Sequence, residues 1–579
     1  MQDKDYLVLF INAYLFTMKN LLLSFFLFFI SVALFSQNPI IIPGTIEDSN
    51  INLTLQNGTF QFFSGEDTAT MGANGPLLDP TLILNQGDNY NVNITNDLGQ
   101  DTTIHWHGLH VSAANDGGPH TVINPGATWN PQFTVLDKAG LHWYHPHLHM
   151  QTDKHVSKGI AGLIIVRDTE EATLGLPMNY GVDEFPMVLQ TKGFDASGQI
   201  LVHTDLDTSV MVNGTVNAQV DFPAQVVRLR VLNGSSQRVM EFGFSDNRSF
   251  SLIGTDGGLL TAPVNLTRYR ISSGQRADIL VDLSSDLGQN IQIMSFASEL
   301  PNAIYGATQP GMGAGATASL PDYPNNPLNG TDFQLLDINV VAQTAAPVLS
   351  IPSTLASWTA IPESAADITR TLTFTSAGAM GNLNGPFLIN GATFDMETIN
   401  YTIPLGNTEI WTLTNQTPIA HPFHIHDVQF FILDINGTPP PAELQGFNDV
   451  VLVPGGNGVV RFIAQFSDHA NDSIPYMYHC HMLPHEDMGM MGQFLVIDPA
   501  AAVTVNNHFD LEVYPNPTSS GLVTLRSNEY KGIVQVFSTT GQQIETFTIN
   551  PNQTKELRLQ SGIYILQDES GNCERVIVL

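Results

Sequence analysis

The chain has 579 residues, too many for one hydrophobic core, so its length calls for three or four domains. Apolar residues make up 43 % of it, enough to build those cores, while only 13 % are charged. The 54 acidic residues against 21 basic ones give a net charge of −33, which repels phosphate backbones, argues against a nucleic-acid partner and favours cations. The N-terminus reads as an export signal. MKNLLLSFFLFFISVALFSQ begins at Met18 with one lysine, runs apolar from Leu21 to Phe35 and turns polar at Ser36-Gln37. Residues 1–36 are therefore expected to form a signal segment cleaved after Ser36, with Met18 as the true start; a retained anchor is the alternative. No later segment is apolar enough to span a bilayer, so no stable membrane insertion is expected after cleavage. Export permits disulfides, yet Cys480 and Cys573 are the only thiols and fall in what read as different domains. Cys480 is expected to serve another purpose.

From Gln37 to about Pro499 the chain alternates in short runs, such as YNVNITN (90–96), VVRLRVLN (226–233) and EIWTLTN (409–415), punctuated by Gly, Pro, Asn and Asp. Long helical periodicity is missing. The pattern predicts an all-β fold built from sandwich domains. Self-comparison exposes a repeat. A strand ending in asparagine recurs at Asn96, Asn233 and Asn415, and nine and eleven residues later come His105/His107, Phe242/Phe244 and His424/His426. Further on, WYHPHLH (143–149) and MYHCHML (477–483) share a Tyr-His-x-His core, each followed by a Gly-led apolar strand, GLIIV (162–166) and GQFLV (492–496). Three related sandwiches over 37–170, 171–345 and 346–500 follow, with a ligand site shared between the outer two and none in the middle one.

Alternate residues of a strand share a face, so each His-x-His pair aims two imidazoles one way. Four such pairs, His105/His107, His145/His147, His424/His426 and His479/His481, supply eight imidazoles. A lone histidine is more often a satisfied core residue than a ligand, but four pairs placed symmetrically in two repeats read as a metal cluster. If His479 and His481 face that cluster, Cys480 must face the other way, towards His421, His485 and Met490. Two imidazoles, one thiolate and a weak thioether describe a blue-copper electron-transfer site, and the peptide bonds flanking Cys480 link it to two cluster ligands. Zinc suits sulfur and nitrogen ligands too, but being redox-inert it could not use that link.

HWHG, HPHLH, HPFHIH and HCHMLPHEDMGMM resemble, in order and spacing, the four copper motifs of three-domain multicopper oxidases, the group of laccases, bilirubin oxidases and copper-efflux oxidases. The resemblance covers roughly residues 40–499. It implies three cupredoxin-like Greek-key sandwiches and four coppers per chain. His421, Cys480, His485 and Met490 resemble the type 1 ligands, and His105 and His424 the type 2 pair. His107, His145 and His481 would hold one type 3 copper, and His147, His426 and His479 the other. The implied reaction takes four electrons singly from a small donor at type 1 copper and reduces dioxygen to two waters at the trinuclear cluster. Asp116 and Glu486 match the family's acidic residues near the cluster and are expected to relay protons, where a turn aspartate and a solvated glutamate are the plainer reading. Of the other histidines, His149 shares the alternation of His145 and His147 and is a candidate to support a ligand ring from outside the cluster, and His110 lies on the HWHG strand close to it.

After Pro499 the texture changes, and residues 508–579, opening on FDLEVYPNPTSSG, read as a small seven-stranded β-sandwich without chemistry. This tail resembles the C-terminal sorting domain of type IX secretion, which implies the type IX machinery as a partner and the cell surface or medium as destination; a periplasmic enzyme with an accessory domain is the alternative. Scaffold relatives that have lost the copper ligands, copper storage proteins and nitrite reductases are the competing classes, and the complete ligand set with an intact His-Cys-His argues against each. The donor follows from softness. Copper-efflux oxidases carry a methionine-rich insertion, whereas residues 356–385 contain only Met380 and residues 309–327 only Met312. Thioethers select Cu(I). Laccase-like oxidation of phenols or aromatic amines is therefore expected, with cuprous oxidation in copper detoxification as the alternative.

Overall fold

The structure, a computed structural model, describes residues 38–312, 319–378, 382–498, 511–539, 541–569 and 571–579. The signal segment expected at 1–36 lies outside the described residues, as do Met380 and His508. The chain divides into two compact units at Ile497/Asp498. The first holds three β-sandwiches and the second one small sandwich, as the alternation predicts. Among the described residues no helix is long and apolar enough to cross a membrane.

The three strand-ending asparagines explain the repeat. Asn96, Asn233 and Asn415 are buried, and each side-chain oxygen accepts from the backbone N–H two residues on, at Leu98, Ser235 and Thr417. Each side-chain amide donates to two carbonyls: Gln100 and Ile123, Arg238 and Ile271, Ile419 and Val453. One side chain thus satisfies three backbone groups at the point where a strand leaves its sheet; aspartate would leave the two carbonyls unpaired and an aliphatic side chain all three. The strands ending at these residues also share a parallel partner in each unit, pairing Leu55 with Asn96, Leu189 with Asn233 and Phe374 with Asn415.

The outer units carry their histidines on equivalent sheets. One orders Thr45–Ile46, Thr81–Asn85, Gly162–Arg167, Gly140–His145 and His105–His107; the other orders Tyr401–Pro404, Met491–Ile497, Tyr476–Cys480, His421–Ile425 and Val450–Val453. The Gly-led strands have a steric reason. Tyr144 pairs with Gly162 and Tyr478 with Gly492, and any β-carbon at either glycine would collide with the tyrosine ring. In the middle unit Phe242 and Phe244, at the histidine offsets, are fully buried in its core, edge-on or tilted to Phe250.

Two details depart from the sequence reading. Asn38–Pro39, counted with the first sandwich, adds a parallel strand to Ala218–Pro223 of the middle one, and Ile40 and Ile42 pack on that core. The His-x-His pairs also sit at strand ends. Only His105–His107 is wholly strand, while Gly140–His145, His421–Ile425 and Tyr476–Cys480 each stop one or two residues short of the second histidine. The second unit packs the sheet Leu511–Tyr514, Leu522–Ser527 and Thr554–Arg558 with a four-stranded sheet of Gln543–Ile549, Gly532–Ser538, Gly562–Asp568 and Cys573–Val578 around Val523, Leu525, Val534 and Leu566.

Candidate metal centre

The eight imidazoles predicted from the pairs converge between the first and third sandwiches. His105 stacks on His426 with centroids 3.8 Å apart, and His107 on His424 at 3.7 Å, so the two short strands meet face to face. Three nitrogen groups result: His105, His107 and His424; His107, His145 and His481; and His147, His426 and His479. The Nδ1 of His107 lies 3.4 Å from Nε2 of His145 and 3.3 Å from Nε2 of His481, and the Nε2 atoms of His147 and His479 are 3.1 Å apart. Nitrogens sharing a tetrahedral first-row metal at roughly 2.0 Å stand about 3.3 Å apart, so the spacing fits a cation. Buried Nε2 atoms of His105, His424 and His426 have no hydrogen-bond partner, as lone pairs waiting for a metal would.

Electrostatics favours neutral, ligating rings. Burial, reinforced by the neighbouring imidazoles, holds His107, His145, His424 and His426 well below the usual histidine range. Burial likewise brings His147 and His481 down to about 3. Oxygen partners orient the rings from outside. His105 Nδ1 donates to the Asp116 carbonyl at 3.0 Å, His426 Nδ1 to Asp116 Oδ2 at 2.8 Å, and His424 Nδ1 to the Asp449 carbonyl at 2.8 Å. His107 instead donates from Nε2 to Asp449 Oδ1 at 3.1 Å, which leaves its Nδ1 for the cluster. Glu486 reaches two further rings, with Oε1 3.4 Å from His147 Nδ1 and Oε2 3.1 Å from His479 Nδ1. Burial alone would raise the Glu486 carboxyl, but His147 and His479 outweigh it and hold it well below the carboxylate range.

Cys480 faces the other side of its strand, inside the third core. It pairs with Phe423, while His479 pairs with His424, so the thiol side and the cluster side are the two faces of the same strands. Its Sγ is 3.4 Å from His421 Nδ1 and 3.7 Å from His485 Nδ1, and it accepts the Met482 N–H at 3.5 Å. The short helix Leu483–Asp487, opened by Pro484, turns His485 back to the sulfur and Glu486 across to the cluster. Met490 is fully buried in the same core, and its backbone N–H donates to the His485 carbonyl at 2.9 Å. Phe387 covers both imidazoles, at 4.6 Å from the His421 ring and 4.5 Å from His485. Burial pushes the Cys480 thiol far up, so a thiolate forms here only with a cation beside it.

Residues 37–171, 191–306 and 364–500 match the multicopper oxidase family, and residues 512–578 match the secretion system C-terminal sorting domain. The multicopper oxidase mco of Staphylococcus haemolyticus is 30 % identical over 477 residues, 79 % of this chain and 93 % of that protein. The chain belongs to the multicopper oxidases. It is a copper-dependent oxidoreductase with dioxygen as acceptor, built from three cupredoxin-like sandwiches and a sorting tail. The cell division protein FtsP of Sodalis glossinidius is 31 % identical over 459 residues, 77 % of this chain and 88 % of that one. Among solved structures, the oxidase is similar to a laccase-like multicopper oxidase CueO of the lignin-degrading bacterium Ochrobactrum sp., which has oxidase activity towards lignin model compounds and lignosulfonate. Identity there is 32 % and the TM-score 0.69, covering 79 % of this chain and 100 % of that one. McoA of Aquifex aeolicus is 28 % identical with a TM-score of 0.70, covering 80 % and 100 %.

Not every histidine near the oxidase's cluster joins it. His149 lies edge-on to Phe394 at 5.1 Å rather than supporting a ligand ring, and His110 pairs with Asp137 at 3.1 Å. Burial disfavours the His110 cation, but Asp137 more than compensates and raises it to about 9. Sequence reasoning passed over Asp449, Asp427 and Arg276. Asp449 orients His107 and His424 from 342 and 25 residues downstream, with no motif to mark it. Asp427, beside His426, is a buried acid whose pKa burial raises well above the carboxylate range. Arg276 likewise carries no local signal, since its partner Asp449 lies 173 residues away.

Proposed function

We propose that this oxidase couples the one-electron oxidation of four phenol or aromatic amine molecules to the reduction of dioxygen to two waters, and that it does so outside the cell. The single observation carrying the reading is Cys480 between His479 and His481, with a thiol site on one face of the strand and eight imidazoles on the other. His421, Cys480, His485 and Met490 would hold type 1 copper, His105 and His424 type 2, His107, His145 and His481 one type 3 copper, and His147, His426 and His479 the other. Bound there, copper supplies one-electron redox chemistry and dioxygen binding. The chain's own residues do the rest. Each donor gives up one electron and one proton, and the four protons meet dioxygen at the buried site, so carboxyl groups that can take up and pass on protons must stand beside it. Asp116 touches His105 and His426, and Glu486 touches His147 and His479, one acid on either side of the cluster.

Asp116→Asn and Glu486→Gln keep shape and remove the acid. Each is expected to lower oxygen turnover by about tenfold or more while copper content, read by atomic absorption, stays at the wild-type value. Wild-type rates in both would return these residues to a purely orienting role.

The donor assignment rests on residues 356–385 containing only Met380 and residues 309–327 only Met312. Phe387, not a thioether, covers His485. The similarity to the Ochrobactrum oxidase points the same way. The deciding experiment compares turnover of a dimethoxyphenol with and without excess copper, alongside direct oxidation of Cu(I). Phenol turnover without added copper is expected; rapid Cu(I) oxidation together with copper-dependent phenol turnover would establish the detoxification reading instead. The sorting tail supports export by the type IX machinery, with the cell surface or medium as destination.

A further inference from the structure

The middle sandwich holds none of the proposed copper ligands, yet it sends one turn into the cluster. In each unit the strand-ending asparagine's carbonyl accepts an N–H from a turn some thirty to forty residues on: Gly126 to Asn96, Gly274 to Asn233 and Asn457 to Asn415. In the first unit this turn faces open space, with nothing near a β-carbon placed on Gly126. In the middle unit the same turn is packed. Gly274, at φ +80°, lies flat against His481, and a β-carbon there would come 2.7–2.8 Å from three atoms of the imidazole. Gln275 donates to the Val450 carbonyl at 3.3 Å.

Arg276, immediately after the turn, is fully buried and reaches all three sandwiches. Its Nε donates to the Leu141 carbonyl of the first unit at 3.1 Å, and its Nη atoms donate to the carbonyls of Gly274 at 3.0 Å and Asp256 at 2.8 Å in its own. The fork of the guanidinium closes on Asp449 of the third unit, Nη1 on Oδ1 at 2.6 Å and Nη2 on Oδ2. Asp256 fixes the same pair from behind, accepting the Arg276 N–H on Oδ1 at 2.7 Å and the Asp449 and Val450 N–H groups on Oδ2 at 3.3 and 3.2 Å. Asp449 is the residue whose carboxylate takes His107 Nε2 and whose carbonyl takes His424 Nδ1.

We infer that Arg276 is a positioning residue for the type 2 side of the cluster: acting through Asp449, the ligand-free middle sandwich sets the orientation of His107 and His424. The physical reason is geometric. A carboxylate held by two parallel N–H···O bonds cannot rotate, so Oδ1 presents one fixed lone pair to His107, and the backbone carrying the Asp449 carbonyl is held with it. Lysine keeps the charge and loses the fork. The inference rests on the copper assignment proposed above.

The test uses the copper-loaded full chain and three variants: Arg276→Lys, Asp449→Asn, and Arg238→Lys as a control. Arg238 is equally buried in the middle sandwich and bidentate to Asp207, so its loss lowers stability without touching the cluster. Arg276→Lys and Asp449→Asn are expected to keep the blue band and the type 1 paramagnetic signal. Both should shift or lose the type 2 signal, and oxygen uptake should fall by about tenfold or more at unchanged donor KM. Arg238→Lys should lower the melting temperature and leave the type 2 signal at its wild-type form. Wild-type type 2 signals in Arg276→Lys and Asp449→Asn, with only melting affected, would overturn the inference; if Arg276→Lys does not fold, the isosteric Asp449→Asn alone decides. A wild-type protein lacking both paramagnetic signals would overturn the copper assignment itself, and the inference with it.

Discussion

Replacing Cys480 by serine is expected to abolish the blue band and donor oxidation completely while the eight-imidazole cluster keeps its copper. Colour and donor entry both need the thiolate, because a serine hydroxyl neither ionises nor softens enough to take its place. The substitution removes one sulfur from a fully enclosed pocket whose other walls, His421, His485, Met490 and Phe387, are unchanged, so the third core stays packed. The cluster imidazoles project from the opposite face of the strand and are oriented by Asp116, Asp449 and Glu486, none of which contacts the sulfur through a hydrogen bond. Visible absorbance and copper content of the purified protein check both halves of the expectation. A blue or donor-active Cys480→Ser protein would remove the type 1 assignment, and with it the reading of the His-Cys-His strand.

Much of this molecule was legible in the chain because its chemistry is periodic. His-x-His pairs at matching offsets from Asn96 and Asn415 identify two equivalent strands, and the parity that sends His479 and His481 one way sends Cys480 the other. The structure keeps that parity even though most of the pairs straddle strand ends, since extended backbone continues the alternation for a residue or two beyond the ladder. The asparagines, read from the sequence only as markers of the repeat, carry a physical load: each side chain satisfies three backbone groups, which accounts for an uncommon strand-ending residue recurring in all three units.

What stayed hidden has no local signature. The contact of Asp449 with His107 spans 342 residues, and that of Arg276 with Asp449 spans 173 across a sandwich boundary. Neither residue type nor spacing distinguishes them from surface ion pairs until the fold brings them together. The pairing of Asn38–Pro39 with the middle sandwich is illegible for the same reason, since two residues at a strand edge carry no periodicity to read. His149 erred in the opposite direction. It shares the alternation of His145 and His147, but by then the strand has ended at His145, and the His149 ring lies edge-on to Phe394.

His424→Ala is the counterpart on the other face. It is expected to remove type 2 copper and dioxygen reduction while leaving the blue band in place and bleachable by donor. His424 supplies one of the two nitrogens assigned to type 2, its Nε2 has no protein partner, and its Nδ1 is tied to the Asp449 carbonyl. Its ring stacks on His107 at 3.7 Å, so truncation also loosens a neighbouring ligand. The adjacent Phe423 and His421 point into the third core with Cys480, and the two faces are separated by the thickness of the strand, so the sulfur site is left intact. The space vacated is lined by imidazoles and is polar enough for water to fill, which limits the cost to folding. The measurement adds donor under argon and then admits air. The blue band should bleach on donor addition and fail to return in air, whereas in the wild type it returns at once. Loss of the blue band with oxygen turnover preserved would mean that the two faces of the strand have been assigned the wrong way round.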